Sequence, residues 1–101
     1  MTDPLTPAEV TMVRIPDGEW PSDDAPPGTF SFHIVKEGDV RRLRIFYECP
    51  RGNTCGVPVE GPGQHWQFDG NRDTPTLTPS INCVGGCLWH GWIRNGKMVT
   101  A

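Results

Sequence analysis

Nothing in this chain of 101 residues approaches the roughly 20 consecutive apolar residues that cross a bilayer, and no stretch sustains a 3.6-residue apolar period. The first absence argues against a membrane span and the second against helix. A positive excess is missing too. Nine Lys and Arg stand against twelve Asp and Glu, giving a net charge of −3 and a pI near 5.5, which argues against nucleic acid or an anionic membrane as the main partner. The N-terminus, Met1-Thr2-Asp3-Pro4, has neither a basic start nor an apolar run, so the chain is read as cytoplasmic. Cysteine is confined to two places, Cys49/Cys55 and Cys83/Cys87. In a reducing compartment such thiols stay free to bind metal, whereas in a secreted protein they would form two disulfides.

What is present concentrates in Asn82-Cys83-Val84-Gly85-Gly86-Cys87-Leu88-Trp89-His90-Gly91-Trp92. Cys83, Cys87 and His90 can converge on one ion if Gly85 and Gly86 let the loop fold back. The remaining ligands would come from Cys49 and Cys55. Five candidates, Cys49, Cys55, Cys83, Cys87 and His90, thus compete for the four positions of a tetrahedral Zn2+. The Cys49/Cys55 spacing is wider than is usual for a zinc site. Cys87-Leu88-Trp89-His90-Gly91-Trp92 also looks like the second ligand box of a Rieske iron–sulfur protein. That centre needs a further Cys-x-His pair, and no cysteine here is followed two residues later by histidine.

Around this site the pattern predicts a small, mostly β single domain of short antiparallel hairpins closed by zinc. Six of the eleven prolines fall at positions 4, 7, 16, 21, 26 and 27, so residues 1–28 are expected to form an extended Pro-rich arm. Its apolar residues Val10, Met12 and Ile15 suggest a short edge strand, with Trp20 as an anchor. Residues 29–101 are the expected zinc-binding β domain. There Phe30, Phe32 and Ile34 alternate with Ser31, His33 and Val35, and Leu43, Ile45 and Tyr47 alternate with Arg42, Arg44 and Phe46. With a turn at Lys36-Glu37-Gly38-Asp39 the two runs make a hairpin whose second strand ends on Cys49. Gln64–Phe68 reads as a short aromatic strand, and Thr74–Ile81 as an extended segment in which two prolines exclude helix. Asn95-Gly96 predicts a second hairpin, because a two-residue turn needs positive φ at both central positions.

Three blocks, Trp66–Asn71, Pro75–Ile81 and Cys87–Gly96, occur in an order that resembles domain-of-unknown-function family six-five-two-seven of phages and bacteria. The resemblance covers about residues 49–99. It implies a zinc-binding domain and, for members in bacterial ubiquitin-like conjugation operons, a peptidase acting on a ubiquitin-like protein or its conjugate. The expected activity is therefore that of a zinc-dependent hydrolase. In that mechanism an open zinc position would hold water, His90 would shuttle protons, Asp69 or Glu60 would act as general base, and Ser80 would donate to the oxyanion. The alternative is a non-catalytic zinc-ribbon-like interaction module. In either case Trp66, Trp89 and Trp92 serve as core or as the lining of a groove for an extended peptide tail.

Overall fold

The computed structural model describes residues 6–83 and 86–101, and among these it contains strands and no helix. The strands are β1 (Glu9–Thr11), β2 (Val13–Arg14), β3 (Thr29–Glu37), β4 (Val40–Glu48), β5 (Thr54–Glu60), β6 (Gln67–Phe68), β7 (Leu77–Thr78), β8 (Ile81–Asn82), β9 (His90–Arg94) and β10 (Lys97–Thr100). They build one four-stranded sheet in the order β2-β3-β4-β5, a second in the order β1-β10-β9-β8, and a small β6-β7 ladder. All pairings are antiparallel except β2 with β3. The mostly β single domain expected from the sequence is what forms.

The β3–β4 hairpin turns on Gly38-Asp39, where Gly38 has a φ of +61°. Its period-two pattern faces Phe30, Phe32, Leu43, Ile45 and Tyr47 into the core. Ile34, assigned by alternation to the same face, is instead 63% exposed, although its cross-strand partner Leu43 is buried. From the second sheet Ile81, Trp89, Ile93 and Met98 meet this layer. The β9–β10 turn has φ of +50° at Asn95 and +73° at Gly96, the two positive values expected of Asn-Gly. A side chain at Gly96 would strike Thr74.

Two expected strands are shorter than the sequence suggested. Of Gln64–Phe68 only Gln67–Phe68 is strand. Thr74–Ile81 divides into β7 and the start of β8, because Pro79 between them has no N–H for a ladder. The Pro-rich segment is woven into both sheets. β1 pairs with β10 in one and β2 with β3 in the other. Between them Met12 is buried and donates its backbone N–H to Gly96 O at 2.9 Å. The start of that arm through Leu5, and Gly85 of the expected ligand turn, lie outside the described residues.

Candidate active site and cysteine cluster

β8, the loop after it and β9 form one hairpin whose two faces carry different chemistry. Ile81 pairs with Gly91 and Asn82 with His90. Successive side chains on a strand point to opposite faces, so buried Ile81, Trp89, Gly91 and Ile93 fix one face inward. Asn82, His90 and Trp92 therefore look outward, together with Ser80 just before β8. The His90 Nε2 lies 3.4 Å from Ser80 Oγ. His90 is exposed and Ser80 half-buried, so the pair is open to solvent.

Ser80 is held from behind. Its carbonyl accepts a hydrogen bond from Trp66 Nε1 at 3.3 Å, and Trp66 packs against the core. His90 is held by the sheet, since its carbonyl accepts from Ala101 N on the β10 side. Trp92 flanks the imidazole, with ring centroids 6.1 Å apart, and carries the Arg94 guanidinium 4.7 Å above its own ring. Trp89 belongs to the core, where its Nε1 donates to Thr100 Oγ1. Of the three tryptophans, Trp89 alone is fully buried, while Trp66 and Trp92 are half-buried.

The other expected acid–base residues are placed elsewhere. Asp69 Oδ1 accepts the backbone N–H groups of Asn71 at 3.0 Å and Thr76 at 3.3 Å, which closes its own turn. Glu60 ends β5 five residues beyond Cys55, about 17 Å along an extended strand. Neither carboxylate has a hydrogen bond to Ser80 or His90 among the described residues.

The inward side of the hairpin loop holds sulfur. The Sγ atoms of Cys49, Cys55 and Cys87 all lie within 4.8 Å of one another. Cys49 comes off the end of β4, Cys55 stands near the start of β5, and Cys87 arrives from the β8–β9 loop. Cys49 and Cys87 are paired as a disulfide, with Cα atoms 7.1 Å apart, and Cys55 Sγ is 3.5 Å from Cys87 Sγ. Cys83 adjoins the group. Its Sγ is 3.7 Å from Tyr47 Oη, and its carbonyl accepts the N–H groups of Gly86 and Leu88, which folds the loop back. Burial pushes the Cys55 thiol up to about 11, helped by the neighbouring Cys83 sulfur. Burial, with Cys83 beside it, also drives the Tyr47 hydroxyl far above its ordinary range.

His90 is not in this group. On β9 it has the opposite parity to Trp89 and Gly91, which face the core, so its ring stands on the far side of the sheet from the sulfurs. The Cys-x-x-His spacing that suggested a ligand is interrupted by the start of the strand. That spacing could not reveal the partner actually met, Ser80, ten residues back across the hairpin.

A family model described as the bacterial ubiquitination-like system serine protease (BubE) matches residues 17–101. No curated protein and no solved structure matches the chain.

Proposed function

We propose, since the chain belongs to the family of bacterial ubiquitination-like system serine proteases (BubE), that Ser80 is its nucleophile and His90 the general base. The observation that carries this is the Ser80 Oγ to His90 Nε2 approach of 3.4 Å on an exposed sheet face. A serine is a weak nucleophile unless an adjacent base takes its proton. In the first step Ser80 Oγ would bond to the acyl carbon of the substrate while His90 Nε2 accepts the hydroxyl proton. The resulting imidazolium then passes that proton to the departing group. Water, deprotonated by the same nitrogen, cleaves the acyl-serine and returns both residues to their starting state. The contact is long for a hydrogen bond, as catalytic contacts often are before substrate tightens them.

The substrate class follows from the family: a ubiquitin-like protein or its conjugate, entering as an extended chain over the open face that carries Trp92. The attacking oxygen comes from serine in this reading. A metal-bound water is not needed, and Asp69 keeps a structural place.

With the Cys49–Cys87 bond reduced to two thiolates, Zn2+ would fit the cysteine cluster as a structural ion. Cys49, Cys55, Cys87 and the adjoining Cys83 would hold it, a sulfur-only donor set of the kind that binds zinc in closed sites at about 2.3 Å. Bridged cysteines usually have Cα atoms about 4.4–6.8 Å apart, and the 7.1 Å between Cys49 and Cys87 lies outside that span. Burial disfavours thiolate in the Cys55 environment, and a divalent cation would reverse that preference. Such an ion would tie the β8–β9 loop to β4 and β5, and so hold the strands that bear Ser80 and His90.

A fluorophosphonate probe, which reacts with activated serines without needing the natural substrate, tests the assignment. Ser80 should be the labelled residue in a tryptic map, and Ser80→Ala and His90→Ala should abolish labelling. A chain that takes no label while still folded and zinc-loaded would favour a non-catalytic interaction module.

A further inference from the structure

We infer that Asn82 is a positioning residue for His90, its side-chain oxygen accepting the imidazole Nδ1–H so that the bare Nε2 faces Ser80. This rests on the assignment of Ser80 and His90 above. A neutral imidazole carries one proton on two nitrogens, and only the form with hydrogen on Nδ1 leaves Nε2 able to take the serine proton. Something must select that form.

Register supplies the candidate. Asn82 and His90 are Cα partners in the antiparallel β8–β9 pair. Cys83 N donates to Trp89 O, while His90 O is turned to Ala101 N on the opposite side of its strand. Ladder bonds therefore bracket Asn82 and His90, which makes them a non-hydrogen-bonded pair. In such pairs the Cα atoms approach to about 4.5 Å and the side chains lie closest. Ser80 is the diagonal neighbour two residues earlier on the same face. One imidazole thus has Ser80 to one side and Asn82 directly opposite.

Competing acceptors are committed. Asp69 closes its turn with Asn71 and Thr76. Asn71 Oδ1 takes the N–H groups of Asp73 and Thr74. Gln67 Oε1 accepts Thr78, and Asn95 Oδ1 accepts Thr76. Asn82 is exposed and its side chain makes no hydrogen bond among the described residues, so the proposed contact needs its amide to turn towards the His90 ring opposite. The charged groups on the same sheet face are Arg94, two residues along β9 and stacked on Trp92, and Lys97 of β10, which pairs with Glu9 of β1 at 3.9 Å.

The test is the second-order rate of fluorophosphonate labelling across pH, with the full chain and its Asn82→Ala and Asn82→Asp variants. Asn82→Ala should slow labelling about 10- to 100-fold at unchanged melting temperature. That is less than the ~10⁴ cost of disturbing a buried carboxylate partner, because an amide oxygen holds the ring without a charge. Asn82→Asp should restore the rate, and should move the acidic limb of the profile to higher pH, since a carboxylate opposite the ring favours imidazolium. A merely structural role would not produce that displacement. An Asn82→Ala rate within twofold of the parent overturns the inference, as does an Asn82→Asp variant as slow as Asn82→Ala, which would make the amide N–H the working group. If Ser80→Ala still takes the label, the assignment of the nucleophile has failed, whereas loss of label there with a normal Asn82→Ala rate sinks the role of Asn82 alone.

Discussion

Among the described residues two Ser–His contacts occur, and their surroundings differ. Ser31 and His33 stand two residues apart on β3 with Ser31 Oγ 2.9 Å from His33 Nε2, closer than the 3.4 Å between Ser80 and His90. Yet Ser31 is fully buried and His33 is 9% exposed. The Trp20 ring lies 4.1 Å from the His33 ring as a cover, and Phe46 meets both. The Ser31 hydroxyl donates to the Glu19 carbonyl at 2.6 Å, and His33 Nε2 lies 3.0 Å from the same oxygen. A carbonyl only accepts, so that nitrogen must carry hydrogen to satisfy it and has no lone pair left for a proton. The Ser31 pair pins the N-terminal segment to the sheet. At Ser80 the hydroxyl has His90 as its sole side-chain partner among the described residues, and solvent on the other side. The shorter of the two contacts is thus the buried one and the longer the exposed one, the difference on which the proposed assignment of Ser80 and His90 rests.

The largest expected effect breaks the comparison directly. Ser80→Ala or His90→Ala should lower fluorophosphonate reactivity by ~10³-fold or more, while Ser31→Ala leaves the labelling rate within about twofold. The cost of Ser31→Ala should appear in stability instead, at about 1–3 kcal/mol, because buried His33 loses a partner and the Glu19 carbonyl loses one of its two. Chemical denaturation of the same samples checks this. A Ser31→Ala protein that no longer reacts would reverse the assignment of the two pairs.

Next in size is the sulfur cluster that supports the open pair. If the cluster holds zinc as proposed, Cys87→Ser should lose the ion and much of the fold, since metal binding energy in so small a chain is also folding energy. Elemental analysis and a melting curve decide. A Cys87→Ser chain that melts like the parent would separate the cluster from the hairpin bearing Ser80 and His90.

The N-terminal segment reaches both sheets, so damage there should spread to both pairs. Met12→Ala removes a buried side chain between the sheets and should cost about 2–5 kcal/mol. A chain starting at Thr29 lacks Met12, β1, β2 and the Trp20 cover altogether. We expect it to aggregate, and recovery of a soluble, zinc-loaded product would show that residues 29–101 fold alone.

The smallest effect concerns the anchor of the cover. Asp17 meets Arg14 at 2.9 Å and Arg72 at 3.0 Å. Burial alone would raise its carboxyl, but the two guanidinium groups outweigh that and hold it below its ordinary value of 3.8. A depressed carboxylate stabilises the fold above the unfolded value, and this contribution is lost as pH falls through the folded one. Asp17→Asn should therefore cost about 0.2–1 kcal/mol near pH 7, as expected of a solvent-screened pair. The difference from the parent should shrink towards zero in denaturation curves below pH 3.8. A constant gap at every pH would assign the loss to packing.

Local rules carried by single residues were legible in the sequence. Alternation set the β3–β4 hairpin, Asn95-Gly96 set the β9–β10 turn, and proline spacing excluded helix from residues 6–28. The thiols of Cys49, Cys55 and Cys87 could be grouped because their chemistry is rare and shared. What required tertiary structure was every decision about direction. Cys-x-x-His spacing cannot tell that His90 begins a strand whose buried neighbours turn its ring away from the sulfurs. Nor can a proline-rich segment reveal that its two short strands will join separate sheets, because hydrogen bonds between distant strands leave no local signal. Ser80 and His90 meet through the register of β8 on β9, and register depends on which side chains the whole core buries.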